Sequence, residues 1–73
     1  MIAIVLIKTE AGKAFSACAD IGKIEGINRA HVVTGPYDLV AVIDTSDISL
    51  RCLVAAIHDT KGVQGTQTCI AVS

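Results

Sequence analysis

The chain has 73 residues, a hydrophobic content of 52% and a net charge of −1 at pH 7, which indicates one small domain with a limited core. Its six lysine and arginine residues are scattered, so direct nucleic-acid binding is not expected, because phosphate contacts need clustered positive charge. No apolar run approaches the roughly 18 residues of a membrane span, and the first run lacks the flanks of a signal peptide, so we expect a cytoplasmic protein without membrane contact.

The three cysteines, Cys18, Cys52 and Cys69, are odd in number and far apart in the sequence. There is no C-x-x-C pair to suggest a zinc or redox centre, so we predict buried free thiols in a reducing compartment. His31 and His58 have no companions at metal-ligand spacing, which predicts neither a metal site nor a catalytic role for them. No cofactor is expected.

The first half of the chain predicts a strand, a helix and a second strand. Ile2 to Ile7 is continuously apolar and β-branched, as in a strand buried on both faces. A helix is predicted to begin at Thr9 or Glu10 and to end near residues 20–22. Its predicted apolar face, at i, i+3, i+4 and i+7, consists of Ala11, Ala14, Phe15 and Cys18. The second strand is predicted from Ile27 to Thr34.

The central turn runs from Val33 to Asp38 and separates two apolar runs. Gly35 and Pro36 cannot both lie inside a paired strand, and proline suits the second position of a turn. The chain therefore reverses here, and Leu39 to Ile43 is predicted to pair antiparallel with the second strand. Asp38 is left at the mouth of this third strand.

The second half predicts a helix and a final strand. The predicted apolar face of the helix again has i, i+3, i+4 and i+7 spacing, in Leu50, Leu53, Val54 and Ile57. Residues 60–62 end this helix, and the last strand is predicted from Val63 to Val72. Alternation places Thr66, Thr68, Ile70 and Val72 on one face and Gly65, Gln67, Cys69 and Ala71 on the other.

The element order β-α-β-β-α-β predicts an α+β fold, a ferredoxin-like sandwich whose antiparallel sheet has the order 4-1-3-2. Both helices then lie on one face, and residues 1–73 form a single domain. Strands 1 and 3 are central and apolar on both parities, while strands 2 and 4 carry the polar residues expected of edges. Because the helices cover only one face, the other apolar face predicts a dimer formed sheet to sheet.

Three segments carry a family resemblance, namely residues 34–40 (TGPYDLV), 61–63 (KGV) and 66–68 (TQT). In this order and spacing they resemble the effector domain of the leucine-responsive and asparagine-regulator (Lrp/AsnC) transcription factors, also called the RAM domain (regulation of amino acid metabolism). The resemblance covers essentially the whole chain. It implies the same fold, homodimers with facing sheets, and rings of dimers, commonly octamers, with amino-acid effectors bound between neighbouring dimers.

The resemblance also implies which residues bind the effector. These are Gly35, Tyr37, Asp38, Thr66 and Thr68. A carboxylate can accept from the ligand ammonium, while turn amides and threonine hydroxyls can donate to the ligand carboxylate. Pro36 stands where many members have a polar residue, and it removes one backbone donor.

Each of these residues also has a structural explanation. Asp38 can cap its own turn, the two threonines are ordinary in an edge strand, and Tyr37 can cover the hairpin or an oligomer contact.

The resemblance extends to the effector domain of the family and not to its DNA-binding domain, so a stand-alone effector-binding and oligomerisation module is expected. It would act alone or in mixed assemblies with full-length Lrp/AsnC-type regulators. Two alternatives share the topology. A small dimeric α+β barrel enzyme needs polar or aromatic groups that converge in a cavity. An ACT-like regulatory domain typically has a glycine in its first loop, where Gly12 is the only candidate and is predicted to lie inside the helix.

Overall fold

The computed structural model describes residues 1–73 except for the side chains of Asp47 and Ile48. Its elements follow the predicted order: β1 (Ile2–Thr9), α1 (Ala14–Gly22), β2 (Arg29–Val32), β3 (Leu39–Asp44), α2 (Asp47–His58) and β4 (Val63–Ile70). The second and last strands are shorter than predicted, while the first continues two residues further, through Lys8 and Thr9. Neither helix, over the residues described, has the length and apolarity that a membrane crossing requires.

The four strands form one antiparallel sheet in the order β2-β3-β1-β4. This is the predicted order 4-1-3-2 seen from the other edge, with β1 and β3 in the centre. In the register of the sheet, Ile7 lies between Leu39 on β3 and Thr66 on β4. Partners that lie directly opposite each other share a face, so Thr66 and Thr68 lie on the same side as Ile7. The sequence predicted that the two threonines share a face, but not which side of the sheet that face is on.

The core lies between one face of the sheet and the two helices. From β1 it takes the odd positions Ala3, Val5 and Ile7, which are 1%, 0% and 0% exposed. The other members from the strands and helices are Ala17, Ile21, Leu39, Ala41, Ile43, Leu50, Leu53 and Ile57. The predicted apolar face of α2 is confirmed, and Ser46 caps this helix by accepting from the Ser49 amide at 3.4 Å.

The opposite face of the sheet carries apolar side chains that no helix covers. We call it the outer face and define it by Ile2, Ile4, Leu6, Val40 and Val42. Ile2 is 46% exposed and Ile4 is 37% exposed, while the other three are half-buried. The first strand is therefore buried on one face only in the single chain. Apolar side chains on an uncovered sheet face are the feature from which a sheet-to-sheet dimer is predicted.

The predicted buried face of α1 is wrong at Ala11 and Phe15. Phe15 is 79% exposed, and Ala11 is exposed before the helix begins. The chain remains paired through Thr9, and Gly12, at a φ of +79°, forms a turn before the helix starts at Ala14. The side chains that face the sheet are instead Ala14, Ala17, Cys18 and Ile21, of which Ala17 and Ile21 are fully buried.

The prediction of buried thiols is wrong for two of the three cysteines. Cys52 and Cys69 are exposed, and Cys18 is half-buried against the core. Cys52 lies on the exposed surface of α2. Cys69 lies opposite Ile4, at the β4 edge of the outer face. The general tendency of cysteine to be buried is overruled here by the alternation of the strand and the orientation of the helix.

Ile21 and Phe15 allow a matched test of the α1 orientation. Replacing Ile21 by alanine should lower the free energy of unfolding by about 2–5 kcal/mol, because a fully buried aliphatic chain is lost. Phe15→Ala should change it by less than about 0.5 kcal/mol, because that ring is mostly in solvent. Urea unfolding followed by circular dichroism measures both. A loss for Phe15→Ala as large as for Ile21→Ala would contradict the orientation described here.

Candidate functional site

Three loops meet at one end of the sheet, which we call the loop end. They are the β1–α1 loop (10–13), the β2–β3 loop (33–38) and the α2–β4 loop (59–62). The Glu10 amide donates to the Gly62 carbonyl at 2.8 Å, and the Asp38 amide donates to the Ile7 carbonyl at 2.9 Å. The loop end is therefore held together by backbone hydrogen bonds that join segments distant in sequence.

The β2–β3 loop reverses the chain at the predicted position. Gly35 has a φ of +134°, and a Cβ there would meet no atom within 4 Å. Glycine is needed for the backbone conformation rather than for space. The Val33 amide donates to the Asp38 carbonyl at 2.9 Å and closes the loop. Because Thr34, Gly35 and Pro36 are exposed, the tip of the loop is open to a ligand or to a second subunit.

Asp38 ties this loop to the end of β1. Its Oδ2 accepts from the Thr9 amide at 2.8 Å and from the Thr9 hydroxyl at 3.3 Å. The Thr9 amide lowers the pKa of Asp38 most, and the charge of Lys8 and the Thr9 hydroxyl lower it further, against an opposing effect of desolvation. The side chain is therefore a carboxylate at neutral pH. Oδ1 accepts no hydrogen bond from the described residues, so one oxygen supports the fold while the other can accept from a ligand.

Tyr37 extends across the outer face of the sheet. Its hydroxyl donates to the side-chain carbonyl of Gln67, on the far side of β1. Sequence alternation places Gln67 on the opposite face of β4 from the two threonines, and nothing in the sequence pairs it with a tyrosine 30 residues earlier. Tyr37 therefore covers the end of the outer face beside Leu6, the partner of Gln67 in the sheet.

The two threonines lie on the helix side of β4. The Thr66 hydroxyl is 2.7 Å from Nε2 of His58, at the end of α2. Thr68 is exposed further along the strand. Since β1 separates β3 from β4, the loop residues and the threonines are about two strand spacings, or roughly 10 Å, apart. The structure therefore gathers Gly35, Tyr37 and Asp38 at the loop end and leaves Thr66 and Thr68 as a second group.

A pocket beside α2 lies away from all five residues. It has a volume of about 420 Å³ and is lined by Glu25, Gly26, Thr45, Ser49, Cys52 and Leu53. It is a depression between the α1–β2 connection and the beginning of α2. Within the part of the chain whose side chains are described, no three His, Cys, Asp or Glu residues are grouped as a metal site would need.

A protein-family model described as the Lrp/AsnC ligand binding domain matches residues 2–73. The chain belongs to this family. The resemblance found in the sequence motifs is therefore confirmed over the whole chain, and so is the fold class. The predicted position of Gly12 inside a helix counted against the ACT-like alternative, and that prediction is wrong, since Gly12 lies in the first loop. The family match, rather than this glycine, decides between the two.

Relatives of this Lrp/AsnC domain are known as proteins and as structures. The chain is 36% identical over 73 residues to the HTH-type transcriptional regulator FL11 of Pyrococcus abyssi. This match covers 99% of the chain and 48% of the relative. The chain thus spans about half the length of the curated relatives it matches. The crystal structure of TTHA0845 from Thermus thermophilus has a TM-score of 0.90 at 31% identity and covers 99% of this chain and 92% of that one.

A third relative was solved with a ligand. It is the feast or famine regulatory protein of Mycobacterium tuberculosis in complex with L-methionine, at a TM-score of 0.80 and 24% identity. The match covers 99% of this Lrp/AsnC domain and 50% of that chain. At this identity the likeness shows the shared fold.

The pH dependence of stability tests the bond between Asp38 and Thr9. The pKa of Asp38 is lowered in the folded protein. The carboxylate therefore contributes its full stabilisation at pH values above the ordinary aspartate pKa of about 4, and this stabilisation is lost as the pH falls through the lowered pKa. The unfolding free energy of Asp38→Asn should therefore fall less steeply than that of the wild type between about pH 5 and pH 2. Thr9→Val keeps the amide and should retain most of the wild-type slope. Equal slopes for wild type and Asp38→Asn would contradict the assignment.

Proposed function

We propose that this Lrp/AsnC domain binds an amino acid or a close metabolite and converts that binding into a change of assembly that modulates transcription, without enzymatic activity. The observation that carries the proposal is the Asp38 carboxylate, charged and fixed by Thr9, with its Oδ1 free of partners among the described residues. Its place in an exposed loop suits the ammonium group of a free amino acid. The family match and the transcriptional regulators among its relatives support the regulatory part.

The ligand class follows from the hydrogen-bond acceptor on the β2–β3 loop and the hydrogen-bond donors on that loop and on β4. A free amino acid carries an ammonium and a carboxylate close together and needs an acceptor for one and donors for the other. Asp38 provides the acceptor, while the amides of the β2–β3 loop and the hydroxyls of Thr66 and Thr68 provide donors. Pro36 supplies no amide, so one donor fewer is available. The complex of the M. tuberculosis relative with L-methionine supports this class of ligand.

A complete site requires more than one chain in this proposal. The acceptor on the β2–β3 loop and the donors on β4 are separated by β1 within one chain. Pairing the loop of one subunit with the β4 strand of a neighbouring dimer brings both groups onto one ligand. The ligand then stabilises a ring of dimers, such as an octamer, through its higher affinity for the assembled state. Mixed rings with full-length regulators in the cytoplasm would follow from the same contact.

The dimer within this ring forms through the outer face. Its centre is aliphatic, in Ile2, Ile4, Leu6, Val40 and Val42, and its β2 edge carries Arg29 and His31. An aliphatic centre with a polar rim is the usual composition of a stable protein interface. The enzyme alternative receives no support, because aliphatic side chains fill the space between sheet and helices.

The dimer prediction is tested by a charge on the outer face. Ile4→Lys should convert a dimer to a monomer, because sheet-to-sheet contact would bury an unpaired ammonium. Phe15→Lys is the matched control, since it places the same charge on the exposed surface of α1 and should leave the mass unchanged. Light-scattering mass after size exclusion measures both. A wild-type monomer, or an Ile4→Lys dimer, would rule out this interface.

Effector binding is tested by the same mass measurement in the presence of each common amino acid, combined with calorimetric titration. We expect one or a few amino acids to bind and to change the mass. Asp38→Asn keeps an oxygen for Thr9 but removes the charge, and it should weaken binding by roughly 10–100-fold, as expected for a hydrogen bond to a charged group. If no amino acid binds the wild type, the effector proposal fails. Unchanged affinity in Asp38→Asn would remove only the role of Asp38.

A further inference from the structure

The contact between His58 and Thr66 carries an inference that rests on the proposed function and deepens it. We infer that His58 is a positioning residue that turns the Thr66 hydroxyl into a donor toward the effector carboxylate. His58 itself does not touch the ligand. His58 acts through the hydroxyl of Thr66, because the imidazole ring determines in which direction the single hydroxyl proton points.

The geometry of the contact supports this role. His58 is the last residue of α2, and β4 begins only five residues later, at Val63. Nε2 of the ring lies 2.7 Å from Oγ1 of Thr66, within normal hydrogen-bond distance. His58 is exposed and Thr66 is half-buried, so part of the Thr66 side chain is open to solvent.

The end of α2 is held by local hydrogen bonds, which position the backbone from which the His58 ring projects. The Asp59 amide donates to the Ala55 carbonyl at 3.0 Å, and the Thr60 amide donates to the Ile57 carbonyl at 3.1 Å. The Thr60 hydroxyl adds a bond to the Ala56 carbonyl at 3.0 Å. With the backbone ordered in this way, the hydrogen bond to Thr66 is the contact that orients the ring.

Proton counting decides what Thr66 can offer a ligand. A hydroxyl has one proton to donate and two lone pairs to accept with. When Nε2 carries a proton, it donates to Oγ1, and the proton of Thr66 is free to point outward. When Nε2 carries none, Thr66 must donate to the ring and presents only lone pairs outward, which repel a carboxylate. The inference therefore assigns a proton to Nε2, because only then can Thr66 donate to a carboxylate.

The inference distinguishes Thr66 from Thr68. Thr68 accepts and donates no side-chain hydrogen bond among the described residues, so its hydroxyl rotates freely and must be ordered on binding, at a cost in entropy. Thr66 is preoriented by the ring and should contribute more to recognition. In the sequence the two threonines of the TQT segment look equivalent, and only the return of the chain after α2 separates their roles.

The experiment is a calorimetric titration of the intact chain with each common amino acid, followed by L-methionine and L-methioninamide as a fixed pair of probes. His58→Gln places a carboxamide nitrogen near the position of Nε2 and should retain affinity. His58→Leu removes the donor and should weaken binding of any amino acid that binds the wild type by roughly 10-fold. Amide analogues lack the carboxylate, so their binding affinity should differ little between the wild type and His58→Leu. In a Thr66→Val background, His58→Leu should have no further effect.

The state of the ring is measured independently by NMR. The chemical shift of Nε2 in the ligand-free wild type should be that of a protonated ring nitrogen, and it should move to a different value in Thr66→Val. An unprotonated Nε2 would overturn the inference, whatever the affinities.

The outcomes separate this inference from the function on which it rests. If the wild type binds an amino acid and His58→Leu binds it equally well, the positioning role is overturned while the effector function stands. Equal losses for acid and amide would also overturn it, because they indicate a structural role of the histidine. If the wild type binds no amino acid, the effector function and the positioning role fail together.

Discussion

The pairing of β1 with two partners is the constraint on which the rest of the structure depends. Its odd positions supply the centre of the core, and its even positions supply the centre of the outer face. Because β1 lies between β3 and β4, it also separates the loop carboxylate from the hydroxyl groups of the last strand. One strand thereby determines which side chains are buried in the single chain, which apolar side chains stay uncovered, and why one chain holds only parts of the proposed site.

Most of the fold could be predicted from local patterns. The periodicity of α2 indicated its buried face, and the alternation of β4 indicated that its two threonines share one face, though not which side of the sheet that face is on. The error at Phe15 has a non-local cause. Pairing of Thr9 with Val63 and of Glu10 with Gly62 keeps the chain extended past the point where the pattern predicted a helix. The start of α1 is set by residues about 50 positions later, which no local window contains.

The candidate site was predictable only in part for the same reason. The Gly-Pro turn is a local signal, and it placed Asp38 correctly at the mouth of β3. Its partner Thr9, and Gln67 as partner of Tyr37, come from β1 and β4. His58 is exposed at the end of α2, and local periodicity cannot show that the following strand returns beside it. Side-chain partners across strands depend on the register of the sheet, and register is a property of the whole fold.

The position of Tyr37 has a spectroscopic consequence. The chain contains one tyrosine and no tryptophan, so nearly all of its near-ultraviolet absorption and intrinsic emission comes from one ring. That ring lies at the loop end, in the same loop as Asp38, with its hydroxyl bonded to Gln67 across the outer face. The optical signal of the whole protein is therefore a local signal from the place where sheet, loop and any neighbouring subunit meet. Tyr37 therefore serves as an intrinsic spectroscopic probe of this end of the sheet, and no attached fluorophore is needed.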